Sequence, residues 1–230
     1  MSQAASAVYK PLENYKRAFD YLGDSQSLTV LVGGVGVISG ARVLDEEARD
    51  YFRHSHRIGQ LEEVGNEVLG TGVPGILVGI TFWVTGNSRN DEKAVRAGQA
   101  QLESIVATSL MTSVVKVSVA RERPDQSDRR SFPSGHTSTM FASASVLSRF
   151  YGWKAGLPAY TLSVVTALAR VSDDRHWLSD TAGGALVGEI IGQAIARGHL
   201  GNSENEIAIL PMPTESYDLG RQGLVARWRY

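Results

Sequence analysis

The sequence predicts an all-α protein: a helical bundle of about six helices, suited to membrane embedding, with a short irregular or strand-like C-terminal tail. Three observations predict it. Long apolar stretches lack the period-two alternation of half-buried strands, Pro, Gly and polar clusters interrupt them at helix-length intervals, and 230 residues with 43% hydrophobic content suffice for one domain with a substantial core. Three parts are expected: an N-terminal segment over 1–27, a helical domain over 28–200 and a tail over 201–230.

Taken in order, Met1 to Asn14 lacks the charged start, apolar stretch and cleavage site of a secretory signal. Leu28 to Ala41 reads as a short apolar helix. Asp45 to Glu67 reads as an amphipathic surface helix followed by a turn, with acidic residues early and His or Arg later, as the helix dipole favours. Val68 to Gly86 carries no ionisable residue and is the best candidate to cross a bilayer. Gly86 to Asp91 supplies turn and N-cap residues for a long helix through Ala120. Of the other apolar runs, Ser104 to Ala120 contains Lys116 and Thr181 to Ala196 contains Glu189, while Ala155 to Ala169 is short.

A charged loop, Arg121 to Ser131, leads to a helix from near Pro133 to Phe150. Tyr151 to Lys154 connect it to a helix ending near Arg170, and a last helix runs from about Trp177 to Arg197. Ile207 to Leu210 and Leu224 to Tyr230 read as strand-like runs around a polar turn, the last as a packed edge. The runs Gly33, Gly34, Gly36 and Gly70, Gly72, Gly75, Gly79 lack the Gly-Lys-Ser/Thr ending of a nucleotide loop, so close helix packing accounts for them better.

Composition removes several chemistries. With Lys+Arg at 23 and Asp+Glu at 24, no global field favours nucleic acid, and any anion site must be built locally. Absence of cysteine removes disulfides, thiolate nucleophiles and Cys-based zinc sites. His54 and His56 are two apart, a spacing that does not share a helix face, and no nearby side chains complete a metal set.

Three segments concentrate groups suited to a phosphate ester. Lys116 and Arg123 stand seven apart, close to two helical turns, so both cations would meet one anion if the helix persists; Pro124 would then stop it. Ser131-Phe132-Pro133-Ser134-Gly135-His136 precedes a helix rich in small residues, and backbone N–H groups at Ser134 and Gly135 would cradle an anion with His136 beside it as proton donor. Arg170, His176 and Asp180 form the third segment. His176 and Asp180 are four apart, so on one helix face the carboxylate would orient an imidazole nucleophile while Arg170 grips phosphate oxygens.

Each residue alone also has an ordinary explanation. Lys116 would serve as a snorkelling lysine, Arg123 and Arg170 as caps or partners of Asp125 or Asp173, and His136 as a satisfied buried histidine. Arg129 and Arg130 suit either anion steering or a solvated loop. Asp173 and Asp174 suit capping, and Trp177 packing beside His176.

Together, in order and spacing, these segments resemble the signature of the type 2 phosphatidic acid phosphatase and vanadium haloperoxidase superfamily. The resemblance covers roughly Asp91 to Arg197 and rests on Lys116, Arg123, Pro124, Pro133, Ser134, Gly135, His136, Arg170, His176 and Asp180. One departure is Ala169, where the family usually has Ser. The resemblance implies a phosphatase without metal or other cofactor, in which His176 attacks phosphorus, His136 protonates the leaving alcohol, and Asp180 orients the nucleophile. Lys116, Arg123, Ser134, Gly135 and Arg170 would bind the phosphate. The implied partners are a phosphorylated lipid of the phosphatidic acid or isoprenyl type and a membrane, with no nucleic acid, in a bacterial envelope with the site facing the periplasm or exterior. A soluble acid phosphatase, a vanadate-dependent haloperoxidase and a non-catalytic scaffold are the alternatives.

Overall fold

A computed structural model describes residues 11–54, 65 and 71–201. Within them eight helices and no strand occur: α1 (Pro11–Leu22), α2 (Ser25–Val43), α3 (Asp45–His54), α4 (Val73–Arg89), α5 (Glu92–Val119), α6 (Gly135–Tyr151), α7 (Trp153–Ser172) and α8 (Leu178–Leu200). The all-α expectation holds, but about six helices is too few. The N-terminal segment contributes α1, which docks through Ala18 in the core cluster and Asn14 beside His199. The strand-like runs at 207–210 and 224–230 lie outside the described residues.

Local chemistry sets the ends. Asp24 caps α2 by accepting from Ser27 N at 2.8 Å, and Asp91 caps α5 by accepting from Ala94 N at 3.1 Å. Gly72 at φ 81° and Pro74 start α4 later than the apolar run suggests, leaving a helix of 17 residues. The described helices long and apolar enough to cross a membrane are α2 and α5. The run at 68–86 that the sequence favours is shortened out of that set.

Helix α6 lies at the centre, packed on α8, α7 and α5, with α4 paired to α5 and α1 and α2 covering α8. Gly184, Gly188 and Gly192 form a small-residue stripe on α8 at one-turn spacing. A Cβ on Gly184 would sit 2.5 Å from Ser134 O, one on Gly192 2.7 Å from Ala142 O, and one on Gly188 would overlap Ser138 O. Of the glycine runs noted in the sequence, Gly75 and Gly79 make such close approaches to α5, whereas Gly33 and Gly36 border open space.

The polarity of the bundle is inverted. Its interior holds Gln101, Ser104, Thr108, Thr112, Ser145 and Gln193, while Val32, Leu77, Val106, Leu110, Val117 and Leu157 stand exposed outside. An apolar cluster of Ala18, Ala97, Ala100, Val146, Phe150 and Ile195 closes one end. The C-terminus of α5 and the N-termini of α6 and α8 meet at the other.

Candidate active site

At that second end, α5 stops at Val119 with Ala120 in the left-handed region at φ 47°. The helix therefore does not persist to Arg123, and Pro124 is not its terminator. Arg123 reaches the site from a loop, held by Nε to Asp128 Oδ1 at 2.8 Å and Nη1 to the Arg175 carbonyl at 2.8 Å. Lys116, still on α5, donates from Nζ to the Arg130 carbonyl at 2.6 Å, which fastens the loop over the helix end. Exposed Arg129 donates back to the Ala120 carbonyl at 3.3 Å.

Ser134 is the N-cap of α6 but does not cap with its hydroxyl, which accepts from Thr137 Oγ1 at 3.1 Å. The first-turn amides of Gly135, His136 and Thr137 have no helical carbonyl to bond, as an anion cradle requires. Ser134 N donates to Asp180 O at 2.9 Å, fixing the start of α6 against that of α8.

His176 does not share a helix face with Asp180. It precedes the N-cap residue Trp177, in a turn made by Asp174 at φ 54°, where its N–H bonds the Arg170 carbonyl at 3.1 Å. Asp180 occupies the third helical position and accepts from Trp177 N at 2.9 Å, so its carboxylate points back past the helix start. Its Oδ2 lies 3.6 Å from His176 Nδ1 and accepts from Ser131 Oγ.

On the opposite edge of the ring, Arg123 Nη1 lies 3.3 Å from His176 Nε2. A guanidinium only donates, so Nε2 carries the lone pair and the proton resides on Nδ1, facing Asp180. Burial, opposed in part by the Asp180 carboxylate and reinforced by Lys116 and Arg123, pushes the His176 imidazole down to about 4. Burial likewise lowers His136 to about 4, aided by Arg170, His176, Lys116 and Arg123. Those mutual influences bring Lys116, Arg123, His136, Arg170 and His176 to one place.

The sequence reading missed Arg121 and two residues of α3. Arg121 donates from Nη1 to Asp180 Oδ1 at 2.5 Å and from Nη2 to Asp45 Oδ2 at 2.7 Å. Arg49 grips Asp174 through Nε at 2.7 Å and Nη2 at 3.1 Å, and donates to the Pro124 carbonyl at 2.5 Å. Trp177 lies between both cations, with Arg49 5.4 Å and Arg121 5.3 Å from the ring centre. The available signal was a basic residue directly after the apolar run of α5. Asp173 sits 3.7 Å from Arg170 and 3.6 Å from Arg175. His54 bonds the Asp50 carbonyl, His56 lies outside the described residues, and among those described no group of three or more metal-ligating side chains assembles. Ala169 is fully buried with Gly65 packed on its methyl group.

Helices α2, α6, α7 and α8 enclose a largely apolar groove of about 780 Å³. Its wall includes Gly33, Phe141, Trp153, Leu157, Tyr160 and Ala182, with Glu189 as a charged lining residue.

Two imidazoles and several cations gather at one end of an all-α bundle, and comparison with known proteins finds likenesses over the segment that carries them. Residues 99–203 match the family model of the PAP2 superfamily. The chain is similar to a lipid A 1-phosphatase of Porphyromonas gingivalis, 35% identical over 102 residues, covering 42% of this chain and 23% of the relative. It is also similar to a PA-phosphatase related-family protein of Dictyostelium discoideum, 27% identical over 153 residues, covering 54% of this chain and 55% of that one. A lipid A 4'-phosphatase of Helicobacter pylori is 33% identical over 66 residues, covering 29% of this chain and 33% of its own length. The chain thus spans between about a quarter and about half the length of these curated relatives. No solved structure matches.

Proposed function

We propose that the protein is a metal-independent phosphatase of membrane lipids, hydrolysing phosphate monoesters or diphosphates through a phosphohistidine on His176. The observation that carries the reading is the two-sided setting of His176: Nδ1 faces Asp180 at 3.6 Å and Nε2 meets Arg123 at 3.3 Å. The nitrogen with the lone pair is the one turned towards the cations.

In the first step Nε2 of His176 bonds to phosphorus as the bond to the leaving oxygen breaks, and His136 gives that oxygen a proton. In the second, His136 takes a proton from water as the water oxygen attacks phosphorus, breaking the P–N bond and releasing phosphate. Lys116, Arg123, Arg170 and the amides after Ser134 hold the non-bridging oxygens, so positioning and charge stabilisation lower the barrier. Asp180 keeps the proton on Nδ1 and stabilises the imidazole as it becomes positive.

A lipid substrate is favoured by the apolar groove between α2, α6, α7 and α8, by the apolar exterior, and by the names of the relatives. In this reading α2 and α5 cross the bilayer of a bacterial envelope, and the site opens towards the periplasm or exterior. A lipid headgroup then reaches the cations while its chains stay in the groove and the bilayer.

The test is phosphate release by wild type and His176→Ala from a phosphatidic acid, an isoprenyl diphosphate, lipid A and an aryl phosphate, in detergent with chelator. Release from a lipid, lost in the variant, is expected. Release that survives the substitution, or that needs an added divalent ion, defeats the reading.

A further inference from the structure

Asp45 lies at the start of α3, outside the segment matched to the superfamily, and is 3% exposed. Its Oδ1 accepts from Ser179 N at 2.8 Å, and its Oδ2 accepts from Ser179 Oγ at 2.8 Å, Arg121 Nη2 at 2.7 Å and Arg42 Nη1 at 3.0 Å. Arg42 is mostly exposed, so Arg121 is the buried counter-charge. Arg121 also bonds Asp180 Oδ1 and donates to Ser179 Oγ at 2.7 Å. Two buried carboxylates therefore share one guanidinium, one nitrogen each.

We propose that Asp45 is a positioning residue for His176, acting through Arg121 and Asp180. The inference rests on the reading of His176 as nucleophile. Arg121 has a rigid fork, and anchoring one tine on Asp45 fixes where the other meets Asp180. With Oδ1 so pinned, Oδ2 is turned towards Ser131, Trp177 N and the imidazole. Sharing also matters for charge. With Asp45 present, part of the positive charge of Arg121 is balanced elsewhere, and Asp180 remains a strong acceptor for Nδ1–H. Besides Asp180, the groups facing His176 are Lys116, Arg123 and His136. Extra positive potential from an unshared Arg121 would make the imidazole less basic and less nucleophilic.

The substitution Asp45→Asn keeps the shape and one acceptor oxygen while removing the charge; Asp45→Glu restores the charge on a longer arm. Two readouts are made on full-length protein in detergent: titration of the His176 ring by NMR, and kcat and KM for an aryl phosphate across pH. In Asp45→Asn we expect His176 to titrate at lower pH, kcat to fall about tenfold with KM nearly unchanged, and Asp45→Glu to recover part of the loss. Identical His176 titration in a folded Asp45→Asn protein overturns the inference. So does a kcat loss that follows only the loss of thermal stability, with the pH profile unmoved. If His176 shifts in Asp45→Asn but wild-type turnover does not depend on His176, the coupling stands and the phosphatase reading falls.

Discussion

Asp180 Oδ2 and His176 Nδ1 lie 3.6 Å apart across the start of a helix, with the carboxylate inside α8 and the imidazole just before it. The carboxylate is held from three other directions, by Arg121, Ser131 and the amide of Trp177.

Replacing Asp180 by Asn removes the charge from this arrangement while Arg121 keeps its bond to Asp45. Turnover should fall by about 10²–10⁴, as when a triad carboxylate is made neutral. Steady-state kinetics with an aryl phosphate, beside a thermal melt, checks this. Near-normal kcat in a folded variant would remove Asp180 from the proposed mechanism.

The pH dependence should have an acidic optimum. In the proposed mechanism His176 attacks only when neutral, and its pKa, depressed to about 4 mainly by burial, keeps it neutral down to that pH, so kcat/KM should rise as pH passes upward through about 4. His136 is also lowered to about 4 and rests neutral above it, so its proton must come from the phosphate monoanion, whose second ionisation is near about 6. Rates should therefore fall above that value. A flat profile of kcat/KM for an aryl phosphate between pH 6 and 9 would contradict this proton route.

Filling the groove should separate lipid from soluble substrates. Gly33 lines the groove and has open space where a side chain would project. Gly33→Trp should lower kcat/KM for a long-chain lipid phosphate by about tenfold, the value of one to two kcal/mol of lost apolar contact, and leave an aryl phosphate unaffected. Equal effects on both substrates would show that the groove holds no chain.

The sequence makes the all-α class and the gathering of cations and imidazoles legible because both depend on local pattern. Asp91 as an N-cap and the small-residue stripes are readable for the same reason. The end of α5 was not: Ala120 adopts a left-handed conformation that alanine seldom takes, and nothing nearer than Pro124 marks the stop. Arg121 and Asp45 were hidden by distance, since their pairing joins residues 76 apart through the turn of α3 under the site. His176 and Asp180 lie 3.6 Å apart, but across a helix start and not on one helix face as the spacing suggested, because four-residue spacing fits both.

Crowding between α6 and α8 should be costly. Gly188→Ala places a methyl group against Ser138 O, and such overpacking should destabilise the bundle by about 1–3 kcal/mol, read as a lower melting temperature in detergent. An unchanged melt would mean that the helices separate without penalty.

The inverted polarity of the bundle changes which substitutions evolution can accept. In the proposed membrane setting, an exposed valine such as Val117 meets the same hydrocarbon whether its helix is docked or stands apart, so trimming it to alanine forfeits little. Cohesion instead comes from backbones brought close by residues with almost no side chain. In that setting tolerance is the reverse of that on a water-soluble surface: bulky apolar positions on the outer face are free to drift, and the smallest residues between helices are the ones least open to replacement.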